Sequence, residues 1–170
     1  FRDTTLNMDY QHIMTFNCLI SPRDIMVQTA KILQREGQTK KAIEVLDKMQ
    51  EMIPAATLPL NTAIISGLND RAIIDAICLY TAVGEKEKAH KLADAFAEET
   101  VKGIILYSKP FQGSFISYES LNQAFTYLLV LQDVFEKNND TEKAKQIGEL
   151  IDFYLAPLHY PQQQPTNRTL

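Results

Sequence analysis

The sequence predicts an all-α fold of about three antiparallel helix hairpins, and two observations carry that reading. Three phrases repeat one design: Gly37-Gln38-Thr39-Lys40-Lys41-Ala42, Gly84-Glu85-Lys86-Glu87-Lys88-Ala89 and Asn139-Asp140-Thr141-Glu142-Lys143-Ala144. Each reads as a left-handed turn residue, a polar cap, and a helix whose first apolar contact is a small Ala. Each also follows a segment of helical apolar period, so each is the elbow of a hairpin. No stretch alternates apolar and polar residues as a half-buried strand would.

The elements follow in order. Asp9–Ile20 has partial helical spacing through Ile13, Met14, Phe16 and Leu19. Ser21-Pro22 reads as a helix start, with Ser at the N-cap and Pro at the first helical position. That helix carries Met26, Ala30 and Leu33 and ends at Gly37. Thr39 is placed to cap the next helix, whose stripe runs Ala42, Val45/Leu46, Met49 and Ile53 until Pro54 stops it. Glu44 and Lys48 are spaced for an i,i+4 pair.

Residues 55–69 form the first insertion, with a short helical turn expected within Leu60–Leu68. Asp70 caps a helix with Ile73, Ile77, Tyr80 and Val83 inward, ending at Gly84. Its partner shows Ala89, Leu92/Ala93 and Phe96/Ala97 and extends to about Ile105, although Gly103 weakens it by about 1 kcal/mol relative to Ala. Helical period breaks over 107–117. A third pair begins at Tyr118 or Glu119, with Leu121, Ala124/Phe125, Leu128 and Phe135 inward. It turns at Asn139, and Thr141 or Asp140 caps the last helix, with Ala144, Ile147, Ile151 and Tyr154/Leu155 inward. A single domain over 1–157 and a flexible Pro/Gln-rich tail over 158–170 complete the reading.

The spacing resembles a tetratricopeptide array, in which small residues sit where two helices cross. Ala30 to Ala42 and Ala42 to Pro54 are each 12 residues, as that motif wants. The second copy keeps Tyr80, Gly84 and Ala89 but has Ile77 at the first small position. The third keeps Asn139 and Ala144 but has Gln132 there. Ala42 to Ala89 is 47 residues and Ala89 to Ala144 is 55, so both linkers carry insertions against a family period of about 34. The expected architecture is therefore a tetratricopeptide-like, right-handed α-α stack with insertions. An unrelated six-helix bundle with ordinary Gly turns is the alternative.

Bulk properties bound the function. A chain of 170 residues, 45% apolar and 22% charged, makes one globular domain with a real core. Its net charge of -4, with acids and bases interspersed, argues against a nucleic-acid surface. No run approaches 18 uninterrupted apolar residues. The start at Phe1, without Met or a signal peptide, reads as an internal cut in a longer protein. Cys18 and Cys78 read as buried thiols, and His12, His90 and His159 stand alone, so no metal or cofactor is implied. No nucleophile and base are spaced as a catalytic set, so this domain is expected not to be an enzyme.

The run from Ile32 to Pro54, with Leu-Gln-Arg-Glu-Gly-Gln-Thr-Lys-Lys-Ala-Ile-Glu-Val-Leu-Asp-Lys-Met inside it, is similar to the C-terminal soluble region of a large bacterial family. So is Tyr80-Thr-Ala-Val-Gly-Glu-Lys-Glu-Lys-Ala-His-Lys-Leu-Ala. Those proteins are uncharacterised multi-spanning membrane proteins whose membrane part resembles protein O-mannosyltransferases. The resemblance covers most of 1–157 and implies an extracytoplasmic, periplasmic domain that joins the membrane only through an absent N-terminal part. It carries no catalytic residue into this chain.

Two regions are candidates for contact with a partner. If the repeat register holds, a groove is lined by Asp24, Val27, Lys31, Gln34 and Arg35, by Arg71, Ile74, Cys78 and Thr81, and by Thr126, Leu129, Asp133 and Glu136. Lys31, Arg35 and Arg71 would meet acidic groups of a protein or peptide, or are long cations on a solvated face. The insertion with Tyr107, Lys109, Phe111, Phe115 and Tyr118 would wall a glycan or partner site, or pins the insertion to the bundle.

Overall fold

A computed structural model describes residues 13–63, 71–108 and 118–159, with side chains described over 20–63, 71–106, 119 and 122–153. Among the described residues there are six long helices and no strand: α1 (Ile13–Arg35), α2 (Thr39–Met52), α3 (Ala72–Ala82), α4 (Lys86–Ser108), α5 (Tyr118–Lys137) and α6 (Thr141–His159). Helices α1 and α2, α3 and α4, and α5 and α6 pair as three hairpins. Further contacts run from α1 to α3, α3 to α5, and α4 to both α5 and α6, which stacks the hairpins in chain order.

The three elbows share one backbone geometry. Gly37, Gly84 and Asn139 have φ of 76°, 85° and 59°, the left-handed region that Gly and Asn tolerate best. The next residue donates back five positions each time: Gln38 N–H to Leu33 O, Glu85 N–H to Tyr80 O, and Asp140 N–H to Phe135 O, at 2.8–2.9 Å. With the bonds from Gly37, Gly84 and Asn139 to the carbonyls three residues earlier, these are three Schellman motifs. The elbow alanines then close the first turn of each second helix, with N–H bonds to Gln38, Glu85 and Asp140.

Side chains at the hairpin crossings compensate in size. The position 12 before each elbow Ala is Ala30, Ile77 or Gln132, and the position four after it is Leu46, Ala93 or Gly148. The second shrinks as the first grows. At the third crossing a Cβ on Gly148 would lie 3.1 Å from Gln132 Nε2, so glycine there makes room for the longer side chain. Ile77 and Gln132 are therefore accommodated departures from the small-residue pattern.

Burial follows the expected stripes: Ala42, Leu46, Met49 and Ile53 on α2, Ala89 to Ala97 on α4, and Ala144, Ile147 and Ile151 on α6. Helix α3 is buried nearly all round, through Ala72, Ile73, Ile74, Ala76, Ile77, Leu79 and Tyr80. It is the centre of the stack rather than an amphipathic surface helix.

Several local expectations are corrected. Pro22 does not begin a helix but lies inside α1. Proline's fixed φ is helical, but inside a helix it also removes one i→i−4 bond and its ring crowds that carbonyl, so this interior position carries a cost that a helix start would not. Gln38, not Thr39, is the N-cap residue of α2, and no side-chain cap bond forms there. Of the two candidates at the start of α6, Asp140 is the cap, its carboxylate accepting from Lys143 N–H at 3.4 Å, which agrees with the expectation. Lys48 pairs with Glu51 at 2.7 Å rather than with Glu44. Helix α4 runs past Gly103 to Ser108. Asp70, most of the turn in Leu60–Leu68, residues 1–12 and the tail beyond 159 lie outside the described residues, as do the side chains of Leu121, Tyr154 and Leu155.

A cleft at the first hairpin junction

The segment after α2 determines the shape of the first junction. Pro54 ends the helix, and residues 53–63 cross the α2, α4 and α1 surfaces as a mostly buried loop. Buried backbone needs hydrogen-bond partners, and side chains supply them. Arg23 of α1, fully buried, donates to Leu58 O and Pro59 O at 2.8 Å each. Glu99 of α4 accepts from Asn61 N–H at 3.2 Å, and Asn61 Nδ2 donates to Thr100 Oγ1 at 3.0 Å. Burial pushes the Glu99 carboxyl above its ordinary range, against the pull of the Asn61 and Leu60 N–H groups and of Arg23.

This loop leaves a cleft of about 370 Å³ between α2 and α4. Met49, Ile53, Leu60, Ile73 and Leu92 make an apolar floor, and Asp47, Gln50, Lys88 and Lys91 make a polar rim. The volume lies in the range of small-ligand sites, and so does the pairing of an apolar floor with few polar groups.

Most of the rim is satisfied internally. Tyr80 donates its hydroxyl hydrogen to Asp47 Oδ1 at 2.7 Å and accepts from Gln50 Nε2 at 2.8 Å. Lys88 reaches Asp47 Oδ2 at 2.6 Å and lies 5.8 Å from the Tyr80 ring centroid. Burial, then the adjoining Asp47 carboxylate, push the Tyr80 hydroxyl far above the ordinary tyrosine range. It stays protonated and donates to Asp47. Lys91 is the remaining exposed cation on the rim.

Of the residues expected to line a groove, Lys31, Arg71 and Cys78 come together around Asp75. Val27 and Ile74 are 0% and 1% exposed, so they belong to the core and not to an open surface, a correction to that expectation. Lys31 Nζ sits 2.5 Å from Asp75 Oδ2, an ion pair that ties α1 to α3. Arg35 and Arg71 are exposed at helix ends. Cys78 is a free, half-buried thiol. Burial and then Asp75 push its pKa up, which disfavours a nucleophilic thiolate. The side chains of Tyr107, Tyr118 and Cys18, and the whole of Phe111, lie outside the described residues. Among the described residues no group of three or more His, Cys, Asp or Glu is placed to hold a metal ion.

The cleft residues escaped the sequence reading because the floor comes from four separate segments. One signal was present, though: Asp47 stands five residues after Ala42, and Lys88 one residue before Ala89, at fixed offsets from two elbows. No known protein-family model, curated protein or solved structure matches this chain.

Proposed function

We propose that this helical stack is a non-catalytic interaction module, tetratricopeptide-like in design, that binds an extended peptide in the α2–α4 cleft. The observation that supports it is the cleft's division of labour. Its floor is apolar, its hydroxyl and carboxylate are locked in a Tyr80–Asp47–Lys88 network, and Lys91 is left as an outward cation. The matching ligand seats one apolar side chain on Ile53, Leu60 and Leu92 and sets a neighbouring carboxylate against Lys91. Among the described residues the lining is aliphatic and polar, a surface suited to an apolar peptide side chain.

A fluorescence-anisotropy screen of short acidic–apolar peptides tests this reading. The exposed Ala95 lines the cleft, so Ala95→Phe fills it without touching the core. Loss of binding in Ala95→Phe and a roughly tenfold weakening in Lys91→Glu are expected. Failure of every peptide to bind, or binding indifferent to both changes, overturns it.

The resemblance described above extends the proposal: the module would serve the periplasmic side of a glycosyltransferase-like membrane protein. Among the described residues no helix is long and apolar enough to cross a membrane. Protease accessibility of a tagged protein in intact spheroplasts checks the location, and full protection there would refute it.

A further inference from the structure

We propose that this chain associates with itself head to tail, the third hairpin of one copy stacking on the first hairpin of the next, with Glu149 meeting Lys41 across the contact. The inference rests on a side-chain staple that recurs at both internal junctions and is independent of the cleft's ligand.

Numbered from the elbow alanines, the residue at −1 is Lys41, Lys88 or Lys143, and the residue at +5 is Asp47, Asp94 or Glu149. At the first junction Asp47 (+5 of α2) pairs with Lys88 (−1 of α4) at 2.6 Å. At the second, Asp94 (+5 of α4) pairs with Lys143 (−1 of α6). The same donor and acceptor positions thus join consecutive hairpins, although the linkers between them differ in length. Positions −1 and +5 lie about 120° apart around a helix, so they face different flanks. In α4 both flanks are used, Lys88 toward α2 and Asp94 toward α6.

The two ends of the stack hold the unmatched halves. Lys41 is exposed, and its ammonium donates to Gln38 Oε1 at 2.8 Å within its own elbow. Glu149 is exposed, and Lys145 sits 3.5 Å away one turn earlier on α6. Both are loose, solvent-screened contacts within one element, which exchange readily for an intermolecular pair. One end therefore offers the cation of the staple and the other its carboxylate, in the register the chain already uses twice. The second copy is the occupant this complementarity selects. Such a contact joins two different surfaces, so it propagates as an open chain rather than closing as a dimer.

Sedimentation velocity on the 170-residue chain across a wide concentration range is the test. The mean mass should rise with concentration past the dimer, and should fall back at high salt. Lys41→Glu and Glu149→Lys should each raise the concentration for half-association about tenfold, because attraction becomes like-charge repulsion. The double reversal, and an equimolar mixture of the two single variants, should both restore wild-type behaviour. Should a reversal lower helical content by circular dichroism, Lys41→Gln and Glu149→Gln replace it, with a roughly threefold weakening expected. A monomer at every concentration, a closed dimer indifferent to the substitutions, or a mixture that fails to restore association overturns the proposal.

Discussion

The first and second hairpin junctions share one staple but differ in what surrounds it. Between α4 and α6 the Lys143 side chain is only 6% exposed although its partner Asp94 is 64% exposed, and His90 packs edge-on against Phe135 at 5.5 Å while its Nε2 meets Asp140 at 2.7 Å. Between α2 and α4 the staple residues Asp47 and Lys88 stay 45% and 39% exposed beside an open cleft. The loop of residues 53–63 makes the difference, because it enters the first junction and brings its own polar backbone with it. The same pairing chemistry thus serves one junction packed by His90 and Phe135 and another bordered by a buried loop that lines a cleft.

The largest expected effect breaks the second junction. Phe135 is fully buried in the last turn of α5 and supports His90. Phe135→Ala should cost about 3–5 kcal/mol, from lost transfer energy plus an unfilled cavity. Urea denaturation reads it as a lowered midpoint. If both junctions belong to one cooperative unit, helicity and a probe at the cleft will melt together. Separate transitions would show the second junction and the cleft to be independent.

A smaller effect isolates the cleft. Arg23→Met removes both donors to Leu58 O and Pro59 O and the cation that faces Glu99. A loss of about 2–3 kcal/mol is expected, since buried carbonyls and a buried carboxylate lose their partners. Amide exchange should rise in residues 58–63 before it rises in α5 and α6. Uniform acceleration across all six helices would mean that the loop is no separate feature.

What could be read from the sequence divides along the same line. The elbows were legible because a left-handed residue, a cap and an apolar stripe are local signals, and Gly37, Gly84 and Asn139 all adopt the expected backbone. The crossings at Ile77 and Gln132 were harder, because their compensation by Ala93 and Gly148 lies 16 residues on. The ion pair of Lys31 with Asp75 spans 44 residues, and no spacing rule reaches that far. The cleft was hidden for the same reason: Arg23, Leu60, Ile73 and Leu92 come together only through the stack. The recurring Lys and acid at −1 and +5 were visible in principle, since aligning the three elbows displays them directly.

The two junctions should also respond to pH with opposite sign. At the second junction, the His90 hydrogen bond, assisted by Lys143 N–H and nearby cations, holds Asp140 below its ordinary value of 3.8. The folded state then binds fewer protons than the unfolded chain near and below 3.8, so this contribution is complete above that value and is lost as pH falls through the folded pKa. At the first junction burial raises Glu99 above 4.5. The folded state then holds a proton that the unfolded chain has released, so the fold gains on acidification through the raised pKa toward 4.5 and loses as pH climbs back. Stability measured by urea midpoint should therefore gain slightly from this group as pH falls toward 4.5, then fall below 3.8. Glu99→Gln should flatten the upper limb, and Asp140→Asn should flatten the lower one. An upper limb that survives Glu99→Gln would show that desolvation of this carboxylate is not what sets the cost of keeping the cleft open.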